Sequence, residues 1–64
     1  MIKKVRQLIE ILESDGWYLY QHKATSHRQY KHPVKPGKVT INGKLSDDVD
    51  KKLENWILKQ AGLK

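Results

Sequence analysis

The sequence contains no cysteine, and this absence excludes both disulfide bonds and a zinc site built on thiolates. Small proteins without cysteine are typical of a reducing compartment, so we expect a cytoplasmic protein. No apolar run approaches the roughly 20 residues of a membrane-spanning helix, and the first four residues lead into an amphipathic pattern that does not resemble a signal peptide. We therefore expect no membrane partner.

Acidic residues are absent from the middle of the chain. The 64 residues include 13 Lys or Arg and 7 Asp or Glu, which gives a formal net charge of +6. Between Gln21 and Lys44 there are six Lys or Arg and no Asp or Glu. Such a segment favours a polyanionic partner, and nucleic acid is the first candidate, although charge alone is equally typical of a merely soluble protein.

Hydrophobic periodicity predicts one small domain, residues 1–64, with the element order α-β-β-β-α. An apolar stripe predicts a first helix that ends at Gly16, and its members are Ile2, Val5, Leu8, Ile9 and Leu12. Three strands are predicted at residues 17–23, 27–32 and 38–42, with turns at 24–26 and 33–37. Ser46 is the predicted N-cap of a second helix, with Asp47 and Asp48 in its first turn.

Each predicted helix has an apolar side to bury, and in the second helix this stripe is Val49, Leu53, Trp56 and Ile57. We therefore expect an α+β fold in which two helices cover one face of a three-stranded antiparallel sheet and leave the other face open. Strand alternation directs one set of side chains toward the helices, namely Trp17, Leu19, Tyr30, Val39 and Ile41. It directs a second set outward, namely Tyr18, Tyr20, His22, His27, Gln29, Lys31, Lys38 and Thr40.

Histidines at positions 22, 27 and 32 are the candidates for chemistry. Metal binding is disfavoured because His22 and His27 fall on different predicted strands and no acidic residue lies between Gln21 and Lys44. Metal-free RNA cleavage requires fewer protein groups than a metal site, because the RNA 2′-hydroxyl is itself the nucleophile. A histidine can accept its proton, and cationic side chains can stabilise the phosphate. An isolated histidine is more often a surface or packing residue, so the residues alone leave both interpretations open.

The residues from Lys23 to Pro33, KATSHRQYKHP, together with KPGKVTI at 35–41 and ILKQAGL at 57–63, resemble the HicA family of messenger-RNA-cleaving toxins. Members carry a Gly-Ser-His motif followed by an aromatic residue three positions later. Ser26, His27 and Tyr30 match that motif. The resemblance covers nearly the whole chain, and Thr25 stands where the family usually has glycine.

The resemblance implies a fold like that of double-stranded-RNA-binding domains, in the same element order as the patterning. It also implies the toxin of a type II toxin–antitoxin system, monomeric when alone. Such a toxin is a metal-independent endoribonuclease without cofactors that cleaves mRNA and inhibits translation until a HicB-type antitoxin binds it. His27 is then the catalytic residue.

Around His27 we hypothesise RNA-binding roles for four residues, Lys23, Ser26, Arg28 and Lys31, with a solvated strand edge as the alternative for the three cations. Tyr30, Trp17 and Trp56 are interpreted as core residues, and Tyr18 and Tyr20 as stacking or antitoxin-contact residues.

Two other functions remain open. A non-catalytic RNA-binding module of the same fold would use Lys51 and Lys52, near the start of the second helix, as phosphate contacts. A protein-interaction domain would instead bind an acidic partner on its basic face.

Overall fold

The computed structural model describes residues 3–23 and 27–64. Its elements in chain order are strand β1 (Lys3–Lys4), helix α1 (Val5–Ser14), strands β2 (Tyr18–Lys23), β3 (His27–Lys31), β4 (Val39–Asn42) and β5 (Asp48–Val49), and helix α2 (Lys51–Gln60). Strands β2, β3 and β4 form an antiparallel sheet in that order, with both helices on one face. The predicted α+β architecture is therefore confirmed. Neither described helix has the length and apolar character that a bilayer crossing requires.

The core lies between the sheet and the two helices. The predicted stripe of the first helix is confirmed, since Val5, Leu8 and Leu12 are buried and Ile9 is partly buried, whereas Ile2 lies outside the described residues. Around this stripe pack the other buried apolar residues, which are Trp17, Tyr30, Val39, Ile41, Val49, Ile57, Leu58 and Ala61. Such a small core leaves most polar side chains of the sheet at the surface.

Strand β2 contains a β-bulge between Leu19 and Gln21. One extra residue in a strand reverses the side to which the following residues point. After the bulge Lys23 lies opposite His27, whereas His22 points to the other side of the sheet. The predicted outward position of His22 is therefore wrong, because simple alternation takes no account of a bulge.

The sheet thus has two different faces. The inner face, packed against the helices, carries Arg28, Tyr30, Val39 and Ile41. The outer face carries Tyr18, Tyr20, Gln21, Lys23, His27, Gln29, Lys31, Lys38, Thr40 and Asn42. Leu19 lies opposite Tyr30 but is 43% exposed, contrary to prediction, because β2 is an edge strand and α2 packs over β4 at the other edge.

Helix α2 begins later than predicted. Its N-cap is Asp50, whose carboxylate accepts the Leu53 backbone N–H at 2.8 Å, so Ser46 is not the N-cap. Asp47 and Asp48 precede the helix: Asp47 accepts the Lys44 N–H, and Asp48 lies in β5, which pairs with β1. This small second sheet was not predicted, because pairing between two-residue strands so far apart leaves no periodic pattern.

The buried side of α2 also differs from the prediction. Trp56 is 56% exposed and Leu53 is 46% exposed, so neither is a core residue. The buried residues of this helix are Glu54, Ile57 and Leu58. Glu54 is tolerated there because Lys3 pairs with its carboxylate at 3.1 Å, and this hydrogen bond holds the pKa of Glu54 below its ordinary value.

Gly16 ends α1 as predicted, with a positive φ of 104°. A Cβ at this position would lie 2.8 Å from Nε2 of His32. That nitrogen donates to the Asp15 backbone carbonyl at 2.7 Å, while Nδ1 accepts the N–H groups of Val34 and Lys35, both at 3.0 Å. Both ring nitrogens of His32 are thus occupied by backbone contacts, and we assign His32 a structural role.

Lys35 connects the C-terminal ends of the two helices. Its ammonium group pairs with the Asp15 carboxylate and donates to the Ala61 backbone carbonyl at 3.0 Å. The hydrogen bond from Lys35 holds the pKa of Asp15 below its ordinary value. These contacts fasten both helices on the inner side, so neither described helix packs over the outer face.

Candidate functional site

His27 lies on the central strand of the sheet, on the outer face, with an exposed side chain. Its neighbour on β2 is Lys23, and its neighbour on β4 is Asn42. Directly opposite residues of antiparallel strands place their Cβ atoms about 4.5–5.5 Å apart. The imidazole is therefore flanked by an ammonium-bearing side chain on one side and an amide on the other, and solvent reaches it from outside.

The bulge in β2 decides which residue accompanies His27. Without the extra residue, alternation would place His22 beside His27 and would pair two imidazoles. With it, His22 lies opposite Arg28 on the inner side, although its own side chain is exposed. The site consequently combines one histidine with one lysine, and Lys23 is suitably placed to neutralise a phosphate next to the imidazole.

Arg28 was predicted to contact phosphate, but it lies on the inner face. Its side chain is largely buried, and its guanidinium donates to the Gly43 carbonyl at 2.7 Å. A side chain held in this way faces away from His27, because successive residues of a strand point to opposite sides. This placement argues against the predicted RNA contact, and we assign Arg28 to the support of the turn after β4.

The other predicted site residues differ in position. Lys31 lies on the outer face four residues after His27, and its ammonium lies over the Tyr20 ring. Ser26 and Thr25 fall in the segment 24–26, outside the described residues. The structure thus brings together two of the predicted residues directly, Lys23 and His27, with Lys31 farther along the same face.

Sequence reasoning overlooked Asn42 and Gln21. Asn42 is the β4 neighbour of His27, and Gln21 lies opposite Gln29 on the same face. The alternation that placed Thr40 outward also predicts an outward Asn42, so the signal was present. Gln21 was not predictable in this way, because its outward position depends on the bulge.

The acidic residues near α2 have structural partners. Asp48 pairs with Lys4 at 2.5 Å, Asp47 accepts a backbone N–H at 2.9 Å, and Asp50 caps the helix. On the outer face, in the ranges that the structure describes, there is no carboxylate. The face therefore offers a histidine, amides and ammonium groups, a set suited to phosphate oxygens.

Comparisons with known proteins identify a family and a similar fold. Residues 5–63 match the profile of the family described as the HicA toxin of bacterial toxin–antitoxin systems. The fold is similar to a chain of a toxin–antitoxin complex from Streptococcus pneumoniae, with a TM-score of 0.73 and 27% sequence identity. That likeness covers 94% of this chain and 97% of the other. No curated protein sequence matches significantly.

Proposed function

Because this chain belongs to the HicA toxin family, we propose that it is a metal-independent endoribonuclease that cleaves mRNA and thereby inhibits translation. The observation that carries the proposal is the exposed His27 on the open face, beside Lys23. An imidazole on an uncovered sheet is accessible to a chain as large as RNA. A face without carboxylates in the described residues does not repel the phosphate backbone.

The proposed reaction uses the nucleophile that RNA itself contains. His27 accepts the proton of the 2′-hydroxyl as the oxygen attacks the adjacent phosphorus. The bond from phosphorus to the 5′-oxygen breaks, a 2′,3′-cyclic phosphate forms, and the departing 5′-oxygen takes up a proton from solvent, to which His27 returns the proton that it accepted. The Lys23 ammonium stabilises the negative charge that grows on the phosphate oxygens. Ser26, next to His27 in the chain, orients the imidazole or binds the RNA backbone in this proposal.

The proposed protein partner is a HicB-type antitoxin that neutralises the toxin. The similar chain from Streptococcus pneumoniae belongs to a toxin–antitoxin complex. An antitoxin that covers the outer face would exclude RNA from His27 and replace the phosphates with its own acidic groups. The proposal places the toxin in the cytoplasm, where mRNA and antitoxin are both present, and makes it a monomer before the antitoxin binds.

The test compares three purified proteins on a single-stranded RNA in EDTA, with circular dichroism to confirm folding. Wild type and His22→Ala are expected to cut, since His22 lies on the other side of the sheet. His27→Ala is expected to lose about 10²- to 10⁴-fold in rate. Unchanged cleavage by folded His27→Ala would refute the catalytic role of His27. Absence of cleavage by the wild type would refute the proposed ribonuclease activity.

A second candidate is a non-catalytic RNA-binding module. Lys51 and Lys52 are both exposed at the start of α2, as this function would require. It predicts salt-sensitive binding of double-stranded RNA that Lys51→Gln and Lys52→Gln weaken while His27→Ala does not. Binding that depends on Lys23 in place of Lys51 and Lys52 would exclude it.

A further inference from the structure

Tyr20 organises a second group of polar side chains on the outer face. Its hydroxyl donates to the Gln29 amide oxygen at 2.8 Å. The Lys31 ammonium lies over the same ring, 4.6 Å from its centroid, and the Lys38 ammonium lies 5.9 Å from it. Both distances are within the range in which an aromatic ring attracts a cation. Tyr20 of β2 thus contacts two side chains of β3, Gln29 and Lys31, and also Lys38, which directly precedes β4.

Neither Lys31 nor Lys38 has a carboxylate partner among the described residues. Ion pairs in the described part of the chain engage Lys3, Lys4 and Lys35 instead. Both ammonium groups approach the Tyr20 ring, so two positive charges lie on one part of the outer face. A phosphate bound there would be attracted by both charges. The Gln29 amide adds N–H donors at the same place, because its oxygen is occupied by Tyr20.

The location relates this group to the catalytic site. Gln29 follows His27 by two residues on β3 and therefore points to the same face about 7 Å farther along the strand. A single RNA strand whose cleaved phosphate lies at His27 and Lys23 would pass over Gln29 with its next backbone groups. The lysine over the Tyr20 ring competes with a base for stacking there, so the group suits a phosphate better than a base.

We infer that Tyr20 is a positioning residue for a second phosphate subsite, in which Lys31, Lys38 and Gln29 bind the RNA phosphodiester next to the one that is cleaved. The inference rests on the proposed ribonuclease function and names how that site holds its substrate. Tyr20 acts through the lysines and the amide, and does not touch the reacting atoms. Loss of the subsite therefore weakens RNA binding and leaves the chemical step intact.

The test uses Tyr20→Leu and Tyr20→Phe, with Trp56→Leu as the control. Trp56 is an exposed aromatic residue of α2, 56% exposed, and it does not lie on the outer face of the sheet. Tyr20→Leu should raise KM about tenfold with kcat within about twofold, since it removes contacts to two cations. Tyr20→Phe keeps the ring and should raise KM less, about threefold. Trp56→Leu should change KM by no more than about twofold.

Affinity for RNA is measured separately in the His27→Ala background, so that binding does not depend on cleavage. Each lost phosphate contact makes the negative slope of log affinity against log salt concentration less steep, by about 0.7 for single strands. Lys31→Gln and Lys38→Gln should each make this slope less steep, and Lys59→Gln at the end of α2 should leave it unchanged. The double variant Lys31→Gln/Tyr20→Leu should lose less binding free energy for RNA than the sum of the losses in the two single variants, because both substitutions disrupt the same group of side chains.

The outcomes separate the two proposals. If the wild type cuts RNA but Tyr20→Leu leaves KM and the salt slope unchanged, the subsite is refuted and the ribonuclease stands. If the wild type does not cut but Tyr20→Leu weakens RNA binding as described, the ribonuclease fails and the subsite stands. If neither cleavage nor RNA binding is detected, both proposals are refuted.

Discussion

Lys23 and His27 lie directly opposite each other on β2 and β3, with both side chains on the outer face. Regular alternation from Trp17 places Lys23 on the inner side of the sheet, and the bulge between Leu19 and Gln21 brings it to the outer face. The relationship means that the cation nearest to the imidazole comes from the neighbouring strand.

Lys23→Gln is expected to slow RNA cleavage by about tenfold or more, because it removes the cation closest to the charge that grows on the phosphate. Lys59→Gln changes the net charge equally on an exposed part of α2 and should leave the rate nearly unchanged. Single-turnover cleavage at fixed ionic strength measures both. Equal losses in the two variants would mean that general charge is responsible, and not the position of Lys23.

Arg28→Met is expected to lower the free energy of unfolding by about 1.5–3 kcal/mol, because the Gly43 carbonyl loses a charged donor at 2.7 Å. Arg6→Met, on the exposed side of α1, should change it by less than about 0.5 kcal/mol. Urea denaturation gives these values. A fully stable Arg28→Met protein with impaired RNA binding would instead support the phosphate contact predicted from the sequence.

Gly16→Ala is expected to destabilise the protein more than Gly37→Ala. Both glycines have positive φ, which costs an alanine about 1–2 kcal/mol. Only at Gly16 would the new Cβ also meet the His32 ring, at 2.8 Å, whereas nothing lies within 4 Å at Gly37. The difference in unfolding free energy measures the contact with His32, and equal effects would show that the ring moves away at no cost.

Stability should fall in acid. The pKa values of Asp15 and Glu54 are lowered in the folded protein, mainly by hydrogen bonds from Lys35 and Lys3. Their stabilisation is complete above the ordinary values, 3.8 and 4.5, and is lost as the pH falls through the lowered values. Asp15→Asn and Glu54→Gln should therefore flatten the acid branch of a stability curve measured between pH 6 and about 2.

The matched control for these two carboxylate substitutions is Glu10→Gln, at an exposed position of α1. Its free energy of unfolding should depend on pH in the same way as that of the wild type. If Asp15→Asn also keeps that shape, the contact between Asp15 and Lys35 contributes nothing to stability. In that case another contact must hold the ends of the two helices together.

Local periodicity was sufficient to predict α1 and the inner side of β3 and β4, because each buried residue there follows a regular spacing. Val5, Leu8 and Leu12 repeat at helical intervals, and Val39 and Ile41 alternate. The family resemblance was needed for His27, since nothing in its spacing distinguishes it from His22 or His32. Arg28 was predictable in principle, because alternation places it on the same side as Tyr30.

Other features depend on contacts between distant residues. Trp56 was predicted to be buried because it is large, yet it is exposed, whereas the charged Glu54 of α2 and the small Ala61 just after the helix are buried. Burial of Glu54 requires Lys3, 51 positions earlier, which no local pattern reveals. Ser46 and Asp50 are both good N-caps, and the choice between them depends on the pairing of β5 with β1.

Because the helices pack on the inner side of the sheet, the side chains of the outer face lie outside the buried core. Substitution of Gln21, Thr40 or Asn42 one at a time is therefore expected to leave the fold intact. Under the proposed function, a toxin built in this way can change the RNA that it binds without losing its fold, and an antitoxin that covers the same face must change with it.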